Sequence, residues 1–246
     1  MSDELFYPEI NVNIGEYEFT QGIEIECYSS KDSYFDWSKI KFNQQLNEAV
    51  TLNKRDKAYI ELGYDGVFDT VFEGYVVSQG IEIILKDQMI ILEETYITET
   101  FLDATPQEIL QFCLNKAGVK NIKLTNTIYP RKSVVPIFKK DCISVFEELK
   151  SLWKFKEKFF FSNGIFYWGE KPVQKDIYEF KYGSNIISLE YFGGLWILET
   201  VAAPYIKYSH EISIMHPKLS GIYEVEKVVF TSNENGFVRT YIYFKE

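Results

Sequence analysis

"YIELGYDGVFDTVFEGYVVSQGIEIILK", residues 59–86, decides how the rest of the chain reads. Ile60, Leu62 and Tyr64 alternate with other residues up to Asp65-Gly66, and the chain resumes through Phe68, Val71, Phe72 and Val76. A period of two marks a half-buried strand, because successive side chains point to opposite faces. Asp accepts from nearby backbone N–H groups and Gly tolerates positive φ, so Asp65-Gly66 reads as a hairpin turn, with a second turn signal at Gln79-Gly80. Three carboxylates, Asp65, Asp69 and Glu73, share the stretch and raise the alternative of an acidic site. A calcium loop needs more alternating oxygen ligands and a terminal bidentate Glu, which this stretch lacks. A glycosidase needs two carboxylates aimed into one cleft, an alignment that sequence does not display. The turn explains the Asp-Gly pair without a ligand.

Upstream, "EINVNI" (9–14) puts Ile10, Val12 and Ile14 on one face, and "GIEIECYSS" (22–30) does the same with Ile23, Ile25 and Cys27. "YFDWSKIKFN" (34–43) is a less regular strand. Strands this dense predict a small antiparallel barrel or sandwich. Near residue 98 the pattern changes. In "DATPQEILQFCLNKAGV" Thr105 reads as N-cap, Pro106 as N1 and Glu108 as N3 of a capping box, with Ile109, Phe112, Cys113 and Ala117 on one face and Gly118 at the end. A second helix opens at Asp141 and carries Cys142, Val145, Phe146, Leu149, Leu152 and Trp153. "KFFFSNGIFYWGEK" then reads as two aromatic strands about Ser162-Asn163-Gly164. From about residue 177 alternation returns and runs nearly to the end, with Asn235-Gly236 turning the last hairpin. The expected division is an N-terminal β domain (1–97), an α/β insert with two helices and an aromatic hairpin (98–176), and a C-terminal β domain (177–246).

Composition narrows the function. The 18 Tyr, 20 Phe and 4 Trp of 246 residues suit pleated surfaces and subunit interfaces alike. A formal charge of −10 disfavours a protein that grips nucleic acid through phosphates, or one that binds an anionic membrane surface. Cys27, Cys113 and Cys142 are odd in number, widely spaced and without C-x-x-C, and read as buried thiols in a reducing compartment. "MSDELFYPEINVNI" has no basic and apolar regions of a secretory signal, and no apolar run is long enough to span a bilayer.

The remaining chemical candidates are weak. His210 and His216, six apart in "SHEISIMHP", would share a face of an ideal strand and could begin a zinc site, yet no Cys or third His is near in sequence. No G-x-S-x-G, phosphate loop or G-x-G-x-x-G occurs. Gly193-Gly194 reads as a bend between aromatic strands. "KFKEKFFF" (154–161) is basic and aromatic, and reads as a solvated helix end before a buried strand rather than a platform for single-stranded nucleic acid. Glu93-Glu94 and Glu147-Glu148 read as exposed faces. No catalytic, cofactor-binding or metal-binding residue is expected.

The two β regions echo each other: 59–86 and "HEISIMHPKLSGIYEVEKVVFTSNENGFVRTYIYF" (210–244) each give a strand, a loop, a glycine near a tyrosine, a valine-bearing strand, a turn and a closing strand. With "VTLNKRDKAYIELGYDGVFDTVFEGYV" (50–76) as the first β part, the helical segments "ATPQEILQFCLNKAGV" and "DCISVFEELKSL" between, and 210–244 as the second β part, this order resembles the late-control-D-like family of contractile-tail hub proteins of phages and R-type bacteriocins. The resemblance implies a mainly β, α+β fold: two small tube-protein-like antiparallel β-barrels with an α/β subdomain between them. It implies a non-enzymatic baseplate hub, a homotrimer whose six barrels present near-sixfold symmetry to the tail tube or tube-initiator protein and threefold symmetry to the central spike. Baseplate wedge proteins are further implied partners, without specific nucleic-acid binding or membrane insertion. Such a protein belongs in a virion or tail-like particle assembled in the bacterial host cytoplasm. The competing readings are a peptidoglycan or glycan hydrolase of the tail tip, using two of the 36 carboxylates, and a glycan- or protein-binding module using surface aromatics.

Overall fold

The computed structural model describes residues 7–246; residues 1–6, the start of the segment read for a secretory signal, lie outside it. The described residues form two compact units, one from residues 7–87 with 173–246 and the other from residues 88–172. The first unit opens with β1 (Glu9–Ile14), β2 (Tyr17–Phe19), β3 (Ile23–Ser30), β4 (Trp37–Phe42), α1 (Gln44–Ala49), β5 (Lys57–Tyr64), β6 (Val67–Gln79) and β7 (Ile83–Lys86). The second carries α2 (Met89–Glu94), β8 (Tyr96–Ala104), α3 (Pro106–Lys116), β9 (Ile122–Leu124), β10 (Lys132–Asp141), α4 (Cys142–Trp153), β11 (Phe159–Ser162) and β12 (Ile165–Trp168). The first unit resumes with β13 (Tyr178–Lys181), β14 (Ser188–Phe192), β15 (Leu195–Thr200), β16 (Glu211–His216), β17 (Leu219–Ser232) and β18 (Val238–Phe244). The fold is mainly β with few helices, dominated by one large, almost wholly antiparallel sheet.

That sheet runs β14-β15-β18-β17-β3-β4-β7-β6-β5-β1-β2, with β16 beside β17 and β13 beside β16. Two stretches of the path have the same order. β3-β4-β7-β6-β5 in one half and β14-β15-β18-β17-β16 in the other each join a hairpin to the last strand of a three-stranded meander. Both meanders have a long middle strand, 13 residues in β6 and 14 in β17. Its first part pairs with the strand before it (Lys57 opposite Tyr75, Glu211 opposite Glu224). Its second part pairs with the strand after it (Val76 opposite Leu85, Val225 opposite Phe244), and the register slips directly after each valine.

The backbone repeats at that slip. Arg55 N donates to Val76 O and Val76 N to Asp56 O; likewise Ser209 N donates to Val225 O and Val225 N to His210 O. Arg55 and Ser209 both adopt positive φ, 79° and 69°, a region that few non-glycine residues enter. Val76 and Val225 therefore occupy corresponding places.

The expectation of two closed barrels is corrected to an open path among the described residues, ending at β14 and β2. The halves share a sheet because β3 pairs antiparallel with β17, Cys27 opposite Phe230 and Tyr28 opposite Val229. Alternation fixes the buried face of this sheet: Val12, Ile14, Ile40, Ile60, Leu62, Leu85, Val228 and Ile242 are closed off from solvent. Each such side chain contributes about 1.5–3 kcal/mol relative to exposure.

In the second unit, Thr105 and Glu108 form the reciprocal capping box of α3 with Pro106 in the first turn, and the Asp141 side chain caps α4. β8 and β10 form one antiparallel ribbon, and β11-β12-β9 a small mixed sheet. Ile109, Leu110, Cys113, Leu114, Val145, Phe146, Leu149, Phe166 and Trp168 make its core.

Candidate functional site

Asp65 and Gly66, from the opening stretch, have φ of 50° and 76°, the two left-handed residues of a primed hairpin turn between β5 and β6. Asp69 and Glu73 have a different use. They are two of three carboxylates, with Asp36, whose fields act on Lys207. Lys207 lies in a ten-residue segment, "VAAPYIKYSH" (201–210), that crosses from β15 to β16 without being a strand. Ala202, Ala203, Ile206 and Tyr208 are buried in it. A buried loop must place its backbone groups, and this one does. Tyr64 OH donates to Ala202 O at 2.7 Å, Ala203 N to Thr240 Oγ1 at 2.9 Å, and Lys207 Nζ to Thr70 O at 3.4 Å. Tyr205 stacks on Tyr178 with centroids 4.1 Å apart. The segment is a strap that ties β5 and β6 to β18.

Burial lowers the Lys207 ammonium, and the attraction of Asp69, Asp36 and Glu73 opposes the change. Burial likewise raises the Asp36 carboxyl to about 7. Against that act the Ser29 hydroxyl at 2.6 Å, the Ser30 N–H at 3.4 Å and the charge of Lys207. Tyr208 is pushed well above the usual phenol value, by burial first and then by Asp36 and Asp87. The arrangement compensates charge around one ammonium and fixes the strap. Sequence reasoning missed Lys207. The signal available was Pro204 amid an apolar run that breaks strict alternation.

The histidines are not two ligands of one strand, because His210 precedes β16 and His216 ends it. Each brackets a turn: His210 Nδ1 accepts from Lys207 N at 3.3 Å and His216 Nδ1 from Lys218 N at 3.0 Å. Burial, then Lys207, lowers the His210 imidazole. Among the described residues no group of three His, Cys, Asp or Glu side chains is placed to hold a metal ion, and no helix is long and apolar enough to cross a membrane. All three cysteines are buried and unpaired in disulfides, and burial raises the Cys27 thiol to about 12.

In "KFKEKFFF" the rings of Phe155, Phe159 and Phe161 turn inward, Phe155 against Trp168 and Phe159 against Phe146, while the half-buried Phe160 stacks on Tyr167 with centroids 5.3 Å apart. Glu148 pairs with Lys140 at 2.5 Å and Glu147 with Lys150 at 3.7 Å. Apolar surface is instead exposed at strand edges and tips: Ile81 is 84% exposed, Tyr191 62% and Phe192 78%.

No family model and no curated protein matches the sequence. Solved structures do match the fold. The 43 kDa tail protein of prophage MuSo2 from Shewanella oneidensis superposes with a TM-score of 0.72 at 10% identity, covering 96% of this chain and 97% of that one. A tail protein from Neisseria meningitidis MC58 gives 0.71 at 8% identity, covering 98% and 97%. An Escherichia coli component of the type VI secretion system, described as structurally similar to the T4 tail proteins gp27 and gp5, gives 0.70 at 10% identity, covering 95% and 76%. Across nearly its whole length, this chain shares its fold with phage tail proteins and a type VI secretion component.

Proposed function

We propose that the chain is the structural hub of a contractile tail or related injection particle. Three copies form a ring that joins the tail tube to a threefold central spike, with wedge proteins around it. The single observation that carries this reading is the common strand order of the two halves, down to the same register slip and the same braced valine. Two similar backbones per chain are what a trimer needs to present six similar faces. The likeness to tail proteins supports the setting, a baseplate assembled in a bacterial host. Each half supplies one of the two similar hairpin-plus-meander modules of the ring, from the chain regions 1–97 and 177–246, with the α/β region 98–176 inserted between them in sequence.

Sedimentation and native mass measurement of the full chain test the stoichiometry, and averaged electron images down the particle axis test the symmetry. A trimer with a near-sixfold inner ring is expected. A chain that stays monomeric at every concentration, or a ring whose two halves sit at different radii, overturns the reading.

A further inference from the structure

The internal repeat leaves one contact unmatched. Rows of paired residues run across both halves: Val76–Leu85–Ser38–Cys27 in the first and Val225–Phe244–Trp196–Tyr191 in the second. Tyr191 thus corresponds to Cys27, and its neighbour Phe192 to Tyr28. On the middle strands Gln79 corresponds to Val228, each lying two places after the slipped residue, opposite Ile83 and Ile242. Continuing one and two residues onward, Gly80 corresponds to Val229 and Ile81 to Phe230.

Within the chain, Tyr28 and Cys27 lie against Val229 and Phe230, and that junction is dry: Cys27 is 2% exposed and Phe230 3%. The corresponding set, Phe192 and Tyr191 with Gly80 and Ile81, is not brought together. β14 ends the sheet path, and its two aromatics and Ile81 are among the most exposed apolar side chains described. An open strand edge bearing apolar side chains invites another chain.

We infer that β14 of one copy lies against the β6–β7 hairpin of a second copy, with Tyr191 and Phe192 covering Ile81, so that the junction made inside the chain by β3 and β17 recurs between chains. The occupant is a second copy because its complementary face is already present on every chain, as the counterpart of a junction that exists. β6 stops at Gln79 where β17 runs on to Ser232, so the contact between chains is a shorter one, made at the hairpin tip. One surface meets a different surface, a heterologous contact that closes into a ring or runs on as a filament. The inference rests on the hub reading and names the surface that closes its ring.

The experiment uses the full chain as an Ile81→Cys/Tyr191→Cys double variant treated with a short bismaleimide; the native cysteines are buried and stay unlabelled. The expected result is dimer and trimer bands that saturate at trimer, absent from both single variants. A chain that sediments as a trimer yet yields no such bands overturns this contact and leaves the hub reading standing. A chain without any oligomer overturns both. Bands continuing past trimer support the contact and count against a closed threefold ring. Independently, Phe192→Asp is expected to weaken the trimer at least about tenfold, the loss of one interface anchor, with an unchanged unfolding midpoint of the subunit. An unchanged trimer in that variant overturns the contact.

Discussion

Asp36 offers the sharpest test of the strap. Its carboxyl sits where the Ser29 hydroxyl and Ser30 N–H reach it, and Lys207 acts on it from the strap. Burial raises it from an ordinary 3.8 to about 7. Between those values the folded chain holds more protons at this group than the unfolded chain does. Stability contributed by Asp36 therefore falls as pH rises from about 4 to about 7, and is level on either side of that window. At about 1.4 kcal/mol per pH unit, the full span is worth about 4 kcal/mol. Residue 36 as a whole is only half-buried, so about 2 kcal/mol is the working figure. Asp36→Asn keeps an acceptor for Ser30 and a partner for Ser29, and removes the titration. Urea midpoints of the native chain and the variant, measured across that window, give the difference directly, free of the other carboxylates. The variant is expected to gain on the native chain as pH rises, ending about 1 M urea ahead near neutrality for a denaturant slope of about 2 kcal/mol/M. Parallel midpoints at every pH refute the argument, because Asp36 would then have equal proton affinity in both states.

Substitutions at three further positions probe the same framework. Tyr64→Phe deletes the donor to Ala202 O and is expected to cost about 1–3 kcal/mol in chemical denaturation, with faster hydrogen exchange confined to the strap. Gly74→Ala would bring a Cβ within 2.2 Å of Lys86 O in the β6–β7 ladder; a loss of about 2 kcal/mol or more in unfolding free energy is expected, and a neutral result would mean that the two strands are not this close. Ser209→Val forces a β-branched residue into the left-handed region at φ 69° and is expected to cost about 1–2 kcal/mol, whereas Ser209→Gly leaves the thermal midpoint nearly unchanged.

What the sequence makes legible is local. Thr105, Pro106 and Glu108 specify the start of α3 because a capping box is a contact within four residues, and Asp141 does the same for α4. Asn163-Gly164 specifies its hairpin for a similar reason, both residues taking the positive φ that the turn demands, 50° and 70°. Six-residue helices are harder. In α2, Met89, Ile90 and Leu92 are buried, but so short an apolar run fits a strand equally well. The neighbour of each strand is not legible at all. Alternation tells which face of β3 is buried, and nothing in it says that β3 lies beside β17, some two hundred residues away. The expectation of two separate closed barrels failed on that one pairing. The ionic cluster about Lys207 escaped for the same reason, since Asp36, the pair Asp69 and Glu73 on β6, and Lys207 come from three distant segments.

The way in which the halves agree bears on what they do. Across one row the first half places Val76, Leu85, Ser38 and Cys27, and the second Val225, Phe244, Trp196 and Tyr191. Only the valine is common. Yet the brace beside that valine is made by the same two backbone hydrogen bonds, and the residue that makes the first of them is held at positive φ in both halves, although it is Arg55 in one and Ser209 in the other. Neither is a residue that favours that conformation, so the backbone geometry is kept there against local preference. A chemical site duplicated in a chain would keep its side chains and tolerate drift in the frame. Here the frame is kept and the side chains differ, as expected when the duplicated property is shape and each half meets its own neighbours: in the ring proposed above one polypeptide would supply two equivalent positions, with the dry seam at Cys27 and Phe230 inside the chain and the exposed set at Tyr191 and Ile81 as its counterpart between copies.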